Sequence, residues 1–237
     1  MKILAIEFSS PQRSVAVVES RAGTAGCSAL AEVIVNDPPR ASGRRPPVSG
    51  QPSSAAVPAL ALIETALREA RLEREQIECL AIGLGPGSYN GIRAAIALAQ
   101  GWQLARDTRL LGISSAECLG AQAQAEGLTG RVSVVIDAQR NEFYLAGFEI
   151  TARDRREIEP LRLATFADVE ARQQTGDLLI GPEVTKWFPN GRPLFPRAAT
   201  LGQLALQRSD FVPGEKLEPI YLRETTFVKA PPRRAIE

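Results

Sequence analysis

Short apolar runs divided by turn-forming residues set out the first half of the chain. Residues 2–8, "KILAIEF", and 13–19, "RSVAVVE", are rich in β-formers and are separated by the turn-prone "SSPQ". A second turn, "SRAGTAG", leads to a third run, "SALAEVIV", at 28–35. The stretch "NDPPRASGRRPPVSGQPSS", residues 36–54, has no apolar periodicity and reads as a mobile loop. From about Val57 to Arg74, Leu60, Ile63, Leu67, Ala70 and Leu72 recur at near-helical spacing. "CLAIGL" then reads as a buried strand and "NGIRAAIALAQGWQLAR" as a second helix, so the first part is β-β-β-α-β-α.

After a connecting segment with a helix near 115–126, the same order returns. "RVSVVIDAQ" and "EFYLAGFEI" flank an "RN" turn, and "REIEPLRLA" is a third strand. "FADVEARQQ" is a short helix, "DLLIGP" a strand and "ATLGQLALQR" a helix. Two such lobes predict a duplicated α/β fold of the actin, Hsp70 and sugar-kinase type, each lobe ribonuclease-H-like. The lobes divide at 1–106 and 107–237, with the helix at about 198–208 a candidate to pack back on the first lobe. In that fold the first hairpin of each lobe faces the interlobe cleft. A mixed α/β domain whose element order repeats by coincidence is the alternative.

Composition narrows the function more than the fold. The 237 residues are 44% hydrophobic and 23% charged, the balance of a soluble globular protein. A net charge of +1 gives no whole-chain case for nucleic acid or a membrane surface. Local basic patches remain at Arg40, Arg44, Arg45, Arg233 and Arg234. No signal peptide or membrane span is expected, which points to the cytoplasm. Cys27, Cys79 and Cys118 form no C-x-x-C pair and read as free thiols. The chain has no histidine, which removes His-assisted triads, His-based metal sites and His general bases together.

Two constellations remain as candidates. Glu7, Ser9 and Ser10 open the first hairpin, and Asp137 and Gln139 hold the corresponding place in the second lobe. In a nucleotide-cleaving enzyme of such a fold, these would organise phosphate and metal. The plainer reading makes them turn and strand-end residues. The loop "GLGPGSYNG" lacks the lysine of a triphosphate loop and fails G-x-G-x-x-G. Gly85, Pro86, Gly87, Ser88 and Gly91, with Arg93 beyond, are better suited to a turn and helix cap, although an anion could sit at that helix N-terminus. In the helix, Ile92, Ala95, Ile96, Ala99 and Trp102 make one apolar stripe. Ala94, Ala97, Leu98, Gly101 and Leu104 continue round it, leaving chiefly Arg93 and Gln100 as polar positions. Composition does not separate a helix buried against a sheet from a helix that meets a second protein.

Several of these stretches together resemble the TsaB (YeaZ) family. "MKILAIEFSSPQRSVAVV" is similar to its opening, and "GPGSYNGIRAAIALAQGWQLA" matches its G-P-G-S-[FY]-T-G-[LIV]-R signature with the small-residue helix that follows. "IDAQRNEFYLAGF" resembles its second-lobe hairpin and "EPIYLRE" its C-terminal P-x-Y-L-R. The resemblance implies the two-lobed actin-like fold. It further implies a non-catalytic partner that forms a heterodimer with TsaD, a paralogue of the same fold. With TsaE, an ATPase, such proteins support threonylcarbamoyl transfer to the adenosine beside the anticodon of ANN-decoding tRNAs. TsaD holds its metal partly through a histidine pair, which this chain cannot supply.

The resemblance therefore implies a scaffold with no catalytic residue, metal or intrinsic cofactor. ATP or ADP would bind only at the complex interface, and tRNA would be reached indirectly. Dimerisation in the family uses the two first-lobe helices. This selects Leu60, Ile63, Leu67, Ile92, Ala95, Ile96, Ala99 and Trp102 as interface or its support, with homodimerisation in isolation the alternative. Glu7 stands where the family usually has aspartate, and Asn90 where it usually has threonine. The enzyme alternative is an independent ATPase or phosphotransferase working from Glu7, Ser10 and Asp137. Proteolysis ranks last, for want of a nucleophile with a base.

Overall fold

The computed structural model describes residues 1–20, 27–36 and 58–223, the Cys27 side chain excepted. The Pro/Arg-rich loop beyond Asn36, Arg40, Arg44, Arg45, Val57 and the tail arginines Arg233 and Arg234 lie outside the described residues.

Two five-stranded sheets carry the fold. The first contains β1 (Lys2–Glu7), β2 (Gln12–Ser20), β3 (Cys27–Asn36), β4 (Cys79–Gly83) and β5 (Arg109–Ile113) in the order β3-β2-β1-β4-β5. β1 pairs antiparallel with β2 and parallel with β4, which in turn pairs parallel with β5. Its central strands read as unbroken apolar runs because both faces are covered. Leu4, Ile6, Phe8, Val15, Val17, Leu80 and Ile82 join one core cluster with residues of α1 (Ala59–Ala70) and α2 (Tyr89–Arg106). Ile3, Ala5, Ala16, Val18, Cys79 and Ala81 join another with Ala198, Leu201 and Ala205 of α5 (Ala198–Ala205).

The second sheet contains β6 (Gly130–Asp137), β7 (Glu142–Ile150), β8 (Arg155–Thr165), β9 (Leu178–Gly181) and β10 (Arg192–Pro193), in the order β10-β9-β6-β7-β8. Ala116, Leu119 and Ala123 of α3 (Ser115–Ala125) pack on one face. Val169 of α4 (Phe166–Gln174) packs on the other with Phe143, Leu145 and Phe188.

The structure adds β5, which periodicity leaves inside a connecting segment. Its five residues, "RLLGI", are too few to show a period, and pairing with β4 is what makes them a strand. The first sheet therefore runs past residue 106, to Ile113. The covering helices are also crossed. α3 follows the first sheet but packs on the second, while α5 comes late in the chain and packs on the first. The two touch between the sheets, where Thr200 hydrogen-bonds Gln122. This middle position buries α3 almost all round.

Candidate functional site

The glycine loop is shaped by the end of β1. Gly85 and Gly87 have φ of 84° and 147°, outside the comfortable range of L-residues. A Cβ at Gly87 would fall 2.1 Å from the Ser9 carbonyl oxygen, and one at Gly91 would fall 2.0 Å from that of Phe8. The Ser88 amide donates to the Ser9 carbonyl at 2.6 Å, and the Gly91 amide donates to Ser88 Oγ at 3.4 Å. The glycines thus admit a close approach of loop and helix to the first hairpin, with Pro86 in a cis Gly85–Pro86 bond between them.

Glu7 lies beneath this loop and is fully buried. Its Oε1 accepts from the Ser9 amide at 2.7 Å and its Oε2 from Ser115 Oγ at 2.9 Å. Ser115 Oγ also accepts from the Gly85 amide at 3.2 Å, so one hydroxyl joins β1, the glycine loop and α3. Burial pushes the Glu7 carboxyl above its ordinary range, against the pull of its hydrogen bonds from Ser9 and Ser115. Ser9 and Ser10 are buried as well, and Ser10 Oγ donates to the Gln12 carbonyl at 2.8 Å. In the second lobe, Asp137 Oδ1 accepts from the exposed Gln139 amide at 2.7 Å. Both acids make the same turn, a carboxylate bound to the amide two residues on. The described residues hold no group of three or more His, Cys, Asp and Glu placed to bind a metal. The buried thiol of Cys79 is pushed up to about 12 by desolvation, far from a reactive thiolate.

The two faces of α2 differ in burial. Ile92, Ala95, Ile96 and Ala99 are buried against the sheet, as are Ile63 and Leu67 of α1, while Trp102 is half-buried. Ile96 and Leu67 keep 6% and 4% exposure, and the other four lie beneath the surface as its support. Leu60, by contrast, is 55% exposed. The exposed positions of α2 include Arg93, Ala94, Ala97, Gly101, Leu104 and Ala105, with Leu104 at 89% exposure. The sequence assigns the stripe to the interface or its support, and in the structure its buried members lie beneath this exposed face. On a helix apolar nearly all round, periodicity cannot say which side meets the sheet.

At the N-terminal end of that face, a cavity of about 350 Å³ lies between α2 and the C-terminal segment, with Tyr89, Arg93, Pro219 and Tyr221 in its lining. Tyr89 and Tyr221 stack at 5.5 Å between ring centroids. The Arg93 guanidinium sits 5.1 Å above the Tyr89 ring and donates to Tyr89 Oη at 2.6 Å.

The family model described as "TsaD: tRNA N6-adenosine threonylcarbamoyltransferase" matches residues 30–212. The tRNA threonylcarbamoyladenosine biosynthesis protein TsaB of Escherichia coli strain K12 is 26% identical over 193 residues, 73% of this chain and 82% of that protein. TsaB of Haemophilus influenzae is 32% identical over 87 residues, 37% of each chain. Among solved structures, YeaZ from Pseudomonas aeruginosa superposes with a TM-score of 0.70 at 24% identity, covering 93% of this chain and 100% of that one. The architecture of two lobes, each a mixed sheet with helices, is accordingly the actin-like α/β fold of that structure.

Proposed function

We propose that this chain, which belongs to the TsaD family and within it to the TsaB (YeaZ) branch involved in tRNA threonylcarbamoyladenosine biosynthesis, works as an activating partner subunit and not as the transferase. Its partner is a TsaD-like paralogue, bound through the first-lobe helices, with a TsaE-like ATPase joining the pair. ATP or ADP belongs to the interface of that complex, tRNA is engaged through the partner, and the work is done in the cytoplasm. The observation that carries the reading is the outward side of α2. Ala94, Ala97, Gly101 and Leu104 present apolar surface that the rest of the described chain leaves uncovered. Short side chains there permit close approach of another helix. The missing histidines support the division of labour, since a metal site built on a histidine pair must come from another chain.

Co-expression with the TsaD-like chain of the same genome tests the proposal. Co-elution is expected, and Ala97→Arg or Leu104→Glu is expected to abolish it while leaving the melting temperature unchanged. Co-elution that survives both substitutions would refute the assigned face. Independent nucleotide turnover from Glu7, Ser10 and Asp137 has less support, because Glu7 is sealed from solvent and committed to Ser9 and Ser115.

A further inference from the structure

Three stretches far apart in sequence meet at one edge of the molecule: the glycine loop with the start of α2, the β6–β7 turn, and the segment ending in "EPIYLR". The last of these belongs to neither sheet. From Val212 it follows the first lobe, with the Val212 amide donating to the Leu110 carbonyl at 2.9 Å. Gln103 Oε1 accepts from the Gly214 amide at 2.7 Å, and Gln100 Nε2 donates to the Gly214 carbonyl at 2.8 Å. Leu217 enters the core beneath α2, and the Ile220 amide donates to the Leu84 carbonyl at 2.9 Å. Tyr221 then stacks on Tyr89.

Two residues later the segment grips the other lobe. Arg223 Nη2 donates to the carbonyls of Ala138 and Gln139 at 3.0 and 3.2 Å and pairs with Glu142. All three lie at the β6–β7 turn, whose tip is unusual. Gln139, Arg140 and Asn141 have φ of 63°, 57° and 61°, a left-handed run with no glycine in it. Gln139 and Arg140 are disfavoured there by their Cβ, so outside contacts add to the turn's own bonds, the Ala138 amide to the Glu142 carbonyl at 2.9 Å and the Glu142 amide to the Gln139 carbonyl at 3.1 Å. One guanidinium nitrogen, Nη2, thus lies within reach of two carbonyls and a carboxylate of the turn.

We infer that Pro219–Arg223 is an interlobe clamp, anchored by Tyr221 on the α2 entry of the first lobe and closed by Arg223 on the left-handed turn of the second. The clamp couples the two ends: loosening the tyrosine stack releases the turn, although Tyr221 and the turn tip share no hydrogen bond. Through it, the orientation of α2 and the conformation of the second-lobe hairpin are held as one unit.

Hydrogen–deuterium exchange on the full chain tests the coupling, read at peptides covering 138–144, 84–91 and, as a control, 166–174. Arg223→Ala is expected to speed exchange at 138–144 by about tenfold or more, with α4 unchanged, and Arg223→Lys to fall between it and the parent. Tyr221→Ala, which cuts the other end, is expected to speed exchange at 138–144 as well as at 84–91. Unchanged rates at 138–144 in Arg223→Ala overturn the inference. So does a Tyr221→Ala effect confined to 84–91, because the ends would then be independent. Acceleration spread evenly over all three peptides also overturns it, since Arg223 would then serve only general stability.

Discussion

Glu7 is a carboxyl sealed from water at the junction of β1, the glycine loop and α3, and its titration should show in the stability of the whole chain. Burial raises its pKa above the ordinary 4.5, so the native state holds the proton more tightly than the unfolded chain does. Its contribution is complete below about pH 4.5 and is lost as pH climbs through the raised native value. The melting temperature of the parent should therefore fall, relative to Glu7→Gln, as pH rises above 4.5. Parallel curves for the two proteins would show that Glu7 does not govern this range. Ala97 and Ala99, two positions apart on α2, make a second contrast. Ala99 has no exposure, so arginine there forces a charge into the core and should cost several kcal/mol, about 3 or more. Ala97 faces solvent, so Ala97→Arg should stay within about 0.5 kcal/mol of the parent in urea denaturation.

The glycines of α2 show how one residue type serves opposite purposes along a single element. Gly91 lies so close to the Phe8 carbonyl that a methyl group would sit 2.0 Å from its oxygen, and the obstacle is backbone. Gly91→Ala should shift the helix start and destabilise by about 1–3 kcal/mol. Gly101 has open space where its Cβ would be. Gly101→Ala should therefore stabilise the free chain by about 0.5–1 kcal/mol, through lower backbone entropy in the unfolded state. If the outward face receives a partner helix closely, the same substitution should weaken co-elution; tighter co-elution would argue against close packing at that point. The existence of α2, a cap from Ser88 or Asn90 and its small-residue character were legible in "GSYNGIRAAIALAQGW", and the structure gives the cap to Ser88. Which side is inward was not, because the choice depends on Ile92, Ala95, Ile96 and Ala99 meeting β4 and its neighbours.

The crossing of α3 and α5 makes the two sheets interdependent. Leu201 is fully buried among Ile3, Ala5, Val18 and Ala81 of the first sheet, though it follows that sheet's last strand by nearly ninety residues. Leu201→Ala should cost about 2–5 kcal/mol, and thermal melting should remain a single transition because no lobe keeps its core without the other's helix. A fragment ending at Ile113 should for the same reason fail to fold, lacking the cover over Ile3, Ala5, Ala16 and Cys79. A cooperative melt from that fragment would show that α1 and α2 suffice for the first sheet.

Local pattern was enough to identify most elements and their order, because apolar spacing, turn residues and caps act over a few neighbouring positions. It also excluded histidine chemistry outright, and its motifs pointed to the family. It could not place β5 or give the sides of α2. Nor could it show that Glu7 and Ser115, 108 residues apart, share a hydrogen bond. It likewise could not bring Arg223 to the carbonyls at the β6–β7 turn, 85 and 84 residues away. Those arrangements arise when the crossed helices and the C-terminal segment close over sheets that no single stretch of chain builds alone, so burial and long-range contact decide them.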